Sequence, residues 1–114
     1  MTTVLAVTLI AAHFAGDWYF QSRDMALRKS KEVKVLLNHL AIVSLALLLP
    51  ALIAGKLWPI LVNAVIHGLI DWNIWGFYKK KYGVEFDHLN NKGFYDTIAV
   101  DQCLHLVTLF VLFS

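Results

Sequence analysis

Apolar positions fall into four long runs, at 3–20, 36–54, 58–77 and 95–113, divided by more polar stretches. Each run approaches the roughly 20 residues that cross a bilayer as a helix. The runs are rich in Leu and Ala and show no period-two alternation, which predicts helices and argues against strands. Only Gly55, Lys56 and Leu57 separate the second run from the third, the length of a tight helical hairpin. Pro59 falls in the first turn of the third run, where its missing N–H costs little. Pro50 lies inside the second run and predicts a kink or an early end there. The expected architecture is all-α: a four-transmembrane-helix bundle forming a single membrane domain over 1–114.

Basic residues orient this bundle. Arg23, Arg28, Lys29, Lys31 and Lys34 lie in the connection 21–35, and Lys79, Lys80, Lys81 and Lys92 in the connection 78–94. Only Lys56 lies on the opposite side. The positive-inside rule then puts both longer connections in the cytoplasm and both termini outside. Trp18, Tyr19, Trp75, Tyr78, Tyr82 and Tyr95 would form an aromatic belt at the inner face, with Trp58 at the outer one. No basic residue precedes the first run, and His13, Asp17 and Gln21 interrupt its end. It therefore reads as a retained helix and not as a cleaved signal. The Lys79-Lys80-Lys81 triplet reads as a topology anchor, and Glu85, Asp87 and His88 as solvated loop residues.

Composition supports the same class. The chain is 59% hydrophobic and 16% charged, against about 25% charged in an ordinary soluble domain. A single cysteine, Cys103, excludes a disulfide scaffold and a Cys-rich zinc finger. A net charge of +2 gives no reason to expect nucleic acid. What composition leaves unexplained is a group of ionisable residues inside the apolar runs.

Their spacing is regular. His13-Asp17-Gln21, Asn63-His67-Asp71 and Thr97-Asp101-His105 each step by four residues, which puts each set on one face of a helix. The second run adds His39, and Gln102 adjoins Asp101. Cys103 falls about 200° round the helix from Asp101 and faces away. At 1.5 Å per residue, Asp17 and His39 lie about 8–9 Å from the nearest basic residue of their connection. Asp71 lies about 12 Å and Asp101 at most about 14 Å from theirs, so all the stripes share the cytoplasmic half of the membrane.

Such residues are expensive there. A buried Asp at a span centre costs about 2.5–3.5 kcal/mol on the lenient insertion scale. Hydrogen bonds between membrane helices return only about 0.6 kcal/mol on average. A divalent cation resolves the imbalance by holding Asp ionised and His neutral as ligands. The expected metal ligands are His13, Asp17, His39, His67, Asp71, Asp101 and His105, enough for two ions with a shared carboxylate. An imidazole-rich set favours a divalent transition metal, zinc first, with iron, manganese and nickel as alternatives, over calcium or magnesium. Asn63, Gln21 and Gln102 are expected to orient ligands, and the two glutamines to hold a water or an oxyanion.

The order His13-x-x-x-Asp17-x-x-x-Gln21, a Lys-rich connection, His39, His67-x-x-x-Asp71, then Asp101-Gln102-x-x-His105 resembles one small membrane-protein family. That family, domain of unknown function 3307, is typified by an open reading frame of the giant phage phiKZ and found in bacteria and phages. The resemblance spans nearly the whole chain. It departs after Asp71, where Asn73-Ile74-Trp75 stand in place of an early basic residue and Lys79 comes later. The resemblance implies a bacterial inner-membrane protein of bacterial or phage origin and brings no activity.

The leading functional expectation is a metal-dependent membrane hydrolase open to the cytoplasm. A metal lowers the pKa of a bound water towards neutrality, suiting attack on an ester or phosphoester of a lipid or lipid-linked substrate. Asp101 would bridge two ions or act as base, assisted by Gln21 and Gln102. Expected partners are membrane lipids and that substrate, with no nucleic acid; homo-oligomerisation stays open. Two other readings compete. One is a proton or metal-ion relay or transporter, disfavoured by the apolar outer halves of the spans. The other is a non-catalytic bacterial or phage membrane factor whose polar core fixes helix register.

Overall fold

Thr2 starts the first helix: its Oγ1 accepts the Leu5 backbone N–H at 3.1 Å, satisfying one of the free donors of the first turn. The computed structural model describes the backbone of residues 1–19, 32–82 and 92–114, and the side chains of 1–17, 32–74 and 96–114. Among the described residues the fold is all-α, with five helices and no strand. Helix α1 spans Thr3–Phe14 and widens into a π-turn over Ala15–Tyr19. Helices α2 (Val33–Ala46) and α3 (Leu48–Ala54) follow the second apolar run, α4 covers Trp58–Tyr82, and α5 covers Lys92–Leu112.

The break between α2 and α3 lies at Leu47 and bends the pair by 42°. Its cause is Pro50, which has no N–H for the Ala46 carbonyl and whose ring crowds it. At the far end of α3, Gly55 takes a left-handed conformation (φ 73°) and closes the helix, and Lys56 N–H reaches back to Ala51 O at 3.1 Å. The chain then turns directly into α4. Lys56 Nζ donates to Ser114 O at 2.9 Å, tying this turn to the end of α5.

Helix α4 packs along α5 and against α2, while α1 lies against α3 and α5 and its π-turn against α2. Two layers fill the interior. Leu5, Leu9 and Ala12 meet Val43, Leu47, Ala51, Leu109 and Phe113 in an apolar plug at the end holding the termini and the α3–α4 turn. Beyond it the buried polar side chains are His13, Asp17, His39, Asn63, His67, Asp71, Asp101 and His105, with Leu36 also buried outside the plug. The outward faces carry Val7, Leu37, Leu45, Leu52, Leu61, Val65, Leu69, Val107 and Val111, all exposed. Polar inside and apolar outside inverts the usual arrangement of a protein in water.

No single described helix is both long and apolar enough to cross a membrane; the bent pair α2–α3 is, taken together, by length and composition. The apolar sequence of α4 is interrupted by Asn63, His67, Asp71 and Asn73, and that of α5 by Asp96, Asp101, Gln102 and His105. Helix α1 is short. Gln21, the loop residues Glu85, Asp87 and His88, and the basic and aromatic side chains of the inner face, apart from Lys34, lie outside the described residues.

Candidate metal centre

Four elements each contribute to one buried cluster: the α1 π-turn (Asp17), α2 (His39), α4 (His67, Asp71) and α5 (Asp101, His105). Each of these side chains belongs to a residue no more than 2% exposed. Within α4 and α5 the spacing of four places the partners one turn apart, with His67 Nε2 3.1 Å from Asp71 Oδ2 and His105 Nε2 3.2 Å from Asp101 Oδ1. The His67 and His105 rings stack at 3.7 Å between centroids and 15° between planes, holding α4 and α5 in register.

Asp17 is placed differently. The π-turn widens the helix just before it, so Asp17 Oδ2 is 3.8 Å from His13 Nε2 despite the same spacing of four. Its Oδ1 instead lies 3.0 Å from His39 Nε2 and 3.7 Å from His67 Nε2. Gly16 makes this approach feasible: a Cβ there would meet the Val43 Cα at 3.1 Å. A single π-turn within an α-helix often marks a functional site.

The first group comprises His39 Nε2, His67 Nε2, Asp17 Oδ1 and Asp71 Oδ2. Besides the contacts above, the two nitrogens are 3.1 Å apart and His39 Nε2 is 3.3 Å from Asp71 Oδ2. A single hydrogen bond accounts for only part of this. An imidazole nitrogen carries one proton or one lone pair, yet His39 Nε2 faces three polar atoms at 3.0–3.3 Å. A cation at the centre faces all four atoms at once. Bonds of about 2.0–2.1 Å in a tetrahedral site separate the ligand atoms by about 3.3 Å, and the five separations here run from 3.0 to 3.7 Å. The residues fit a metal ion.

A second group, Asp17, Asp101 and His105, offers ligand atoms within 4.8 Å of one another. Asp17 belongs to both groups. Asp71 also touches both, since its Oδ1 lies 3.1 Å from His105 Nε2 while its Oδ2 faces His39 and His67. Asp101 sits in the second group only, so the carboxylate common to both groups is Asp17.

Gln102 buckles this assembly. His13 Nε2–H donates to Gln102 Oε1 at 2.6 Å, which fixes the amide so that Nε2 donates to Asp17 Oδ2 at 2.8 Å and to Asp101 Oδ2 at 3.1 Å. The Oδ1 atoms of both carboxylates are thereby aimed at the histidines. Both N–H groups of Gln102 are directed at carboxylates, which makes it a positioning residue in this arrangement. His13 is buried beside the cluster and belongs to neither metal-competent group. Asn63, one turn from His67 towards the plug, is buried, and its Nδ2 has no hydrogen-bond partner among the described residues. Cys103 is exposed, on the far side of α5 from the site.

A family model described as Protein of unknown function (DUF3307) matches residues 4–114. The chain belongs to the DUF3307 family. No curated protein and no solved structure matches it. The match covers every element that supplies the DUF3307 cluster, from His13 on α1 to His105 on α5. Three elements of this site escaped sequence reasoning. The π-turn has no periodic signature, Gly16 stood unremarked beside Asp17, and the sharing of Asp17 between the two groups depends on contacts between helices. The one available signal was a glycine adjoining an ionisable residue in an apolar run.

Proposed function

We propose that this DUF3307 chain is an integral membrane protein that holds a divalent transition metal, zinc foremost, between four spans and hydrolyses an ester or phosphoester of a lipid or lipid-linked substrate. The observation that carries the reading is the tetrad His39, His67, Asp17 and Asp71, in which five of the six ligand-atom separations, 3.0–3.7 Å, lie close to the edge of a tetrahedral site. A metal held in this cluster with one coordination position left open would supply an activated water for attack on the ester. The chain's own side chains supply the ligands, exclude bulk water through their burial, and orient the carboxylates through Gln102.

Two features support the membrane setting. The outward faces are apolar around a polar interior, as a lipid solvent favours. Polar groups on those faces turn back onto their own helices: Thr8 Oγ1 donates to Val4 O at 2.6 Å, Asn73 Nδ2 to Leu69 O at 2.7 Å, and Thr108 Oγ1 to Leu104 O at 2.8 Å. With both connections cytoplasmic, the site lies towards the inner face of the bacterial membrane, the side from which a lipid headgroup would approach it. A through-membrane relay is less well supported, because the plug around Leu9, Leu47, Leu109 and Phe113 fills the other end with packed hydrocarbon.

The test is elemental analysis of the chain purified in mild detergent. At least one equivalent of zinc, iron or manganese per chain is expected, with loss in His67→Ala. A folded, metal-free protein unaltered by His67→Ala overturns the reading.

A further inference from the structure

Building on that metal-binding reading, we infer that the site holds two ions in unequal positions, and that the second, at Asp17, Asp101 and His105, is the exchangeable one that meets substrate. The first group presents four protein ligands, His39, His67, Asp17 and Asp71, and so completes a tetrahedral shell without water. The second presents three and leaves a position vacant for water or a substrate oxygen, the pattern that separates catalytic from structural zinc sites.

Three observations tie the two positions together. Asp17 supplies a ligand atom to both groups. Asp71, a member of the first group through Oδ2, touches His105 of the second through Oδ1 without belonging to that group, so the two positions adjoin. Gln102 holds the Oδ2 atoms of Asp17 and Asp101 together, which keeps the three-ligand group assembled. Three carboxylates carry one more negative charge than one divalent ion neutralises, and a second ion turns that into one net positive charge. Two ions bridged by a carboxylate form a clamp able to stabilise both the attacking and the leaving oxygen of a hydrolysed ester.

The experiment is an equilibrium zinc titration of the full chain in detergent micelles, followed by elemental analysis after dialysis. Two binding steps are expected, the weaker at least tenfold below the stronger, with two zinc ions per chain at saturation. Asp101→Asn, close in shape to the original residue, should abolish the weaker step and keep one ion. If Asp101→Asn does not fold, the two steps of the unaltered chain decide. A single step with one ion per chain overturns the inference and leaves the metal-binding reading standing. Two ions that leave together in a folded Asp101→Asn chain also overturn it, because the positions are then one unit. No binding at all overturns both.

Discussion

His39 Nε2 and His67 Nε2 lie 3.1 Å apart in the buried core, each also within 3.3 Å of Asp71 Oδ2. Two imidazole nitrogens so close tolerate no pair of protons between them, and they attract each other only through a shared proton or a shared cation. A cation held there would make the fold conditional on metal. Stripping it with a chelator should lower the unfolding temperature, and zinc at about 1,000 times its Kd should restore about 4 kcal/mol. Calcium and magnesium should not, because they prefer all-oxygen shells. Melting curves in detergent with each ion check this. Equal restoration by magnesium would remove the case for an imidazole-rich transition-metal site.

The buckle made by His13 and Gln102 predicts a graded loss. Gln102→Leu keeps the volume but removes both donors to Asp17 Oδ2 and Asp101 Oδ2. Partners that orient ligands are typically worth about 10–100-fold in metal affinity, and that loss is expected. His13→Leu frees the amide without deleting its donors, so a smaller loss follows. Competition with a chromophoric chelator measures both. If His13→Leu weakens binding more than Gln102→Leu, His13 acts as a direct ligand and the buckle fails.

Backbone spacing at the site predicts a contrast between two glycines. A Cβ on Gly16 would meet the Val43 Cα at 3.1 Å, and backbone cannot swing aside. A Cβ on Gly68 would meet Leu40 Cδ1 at 3.0 Å, the flexible end of a side chain. Gly16→Ala should therefore separate the π-turn from α2, draw Asp17 away from His39, and cost about 1–3 kcal/mol, the range for overpacking. Gly68→Ala should cost less and leave metal affinity within about a factor of two, on the footing that a rotamer change relieves the clash. Paired zinc titrations and melts of the two variants distinguish them.

These contrasts mark where sequence reasoning reaches and where it stops. His67 with Asp71, and Asp101 with His105, were legible because spacing of four on an α-helix fixes a shared face whatever the surroundings. The break before α3 was legible from Pro50, which acts on its own helix through the Ala46 carbonyl. His13 and Asp17 carry the same spacing, yet the π-turn separates them to 3.8 Å and gives Asp17 to His39. Nothing local in Ala15-Gly16-Asp17 specifies a π-turn; the close contact of Gly16 with α2 accompanies it, and that contact is tertiary. For the same reason the sharing of Asp17, with Asp71 and Asp101 each confined to one group, needed three dimensions.

The outward faces give a test of the membrane setting that does not involve the metal. Leu45 and Val65 are 67% and 65% exposed and lie near the middle of the second and third apolar runs; Val4, 64% exposed, lies at the end of the first. In water, a lysine at any of these positions changes stability by no more than about 0.5 kcal/mol, since surface substitutions rarely do more. In lipid, a lysine at mid-span costs about 2.5–3.5 kcal/mol, while one at a helix end extends its amine to the interface at little cost. Leu45→Lys and Val65→Lys should therefore sharply reduce the yield of folded protein recovered from membranes, and Val4→Lys should not. Similar exposure with unequal tolerance is the signature of depth, which a water-facing surface lacks. Equal tolerance at all three positions would sink the membrane reading while leaving the metal centre untouched, because none of the three side chains belongs to the His/Asp cluster.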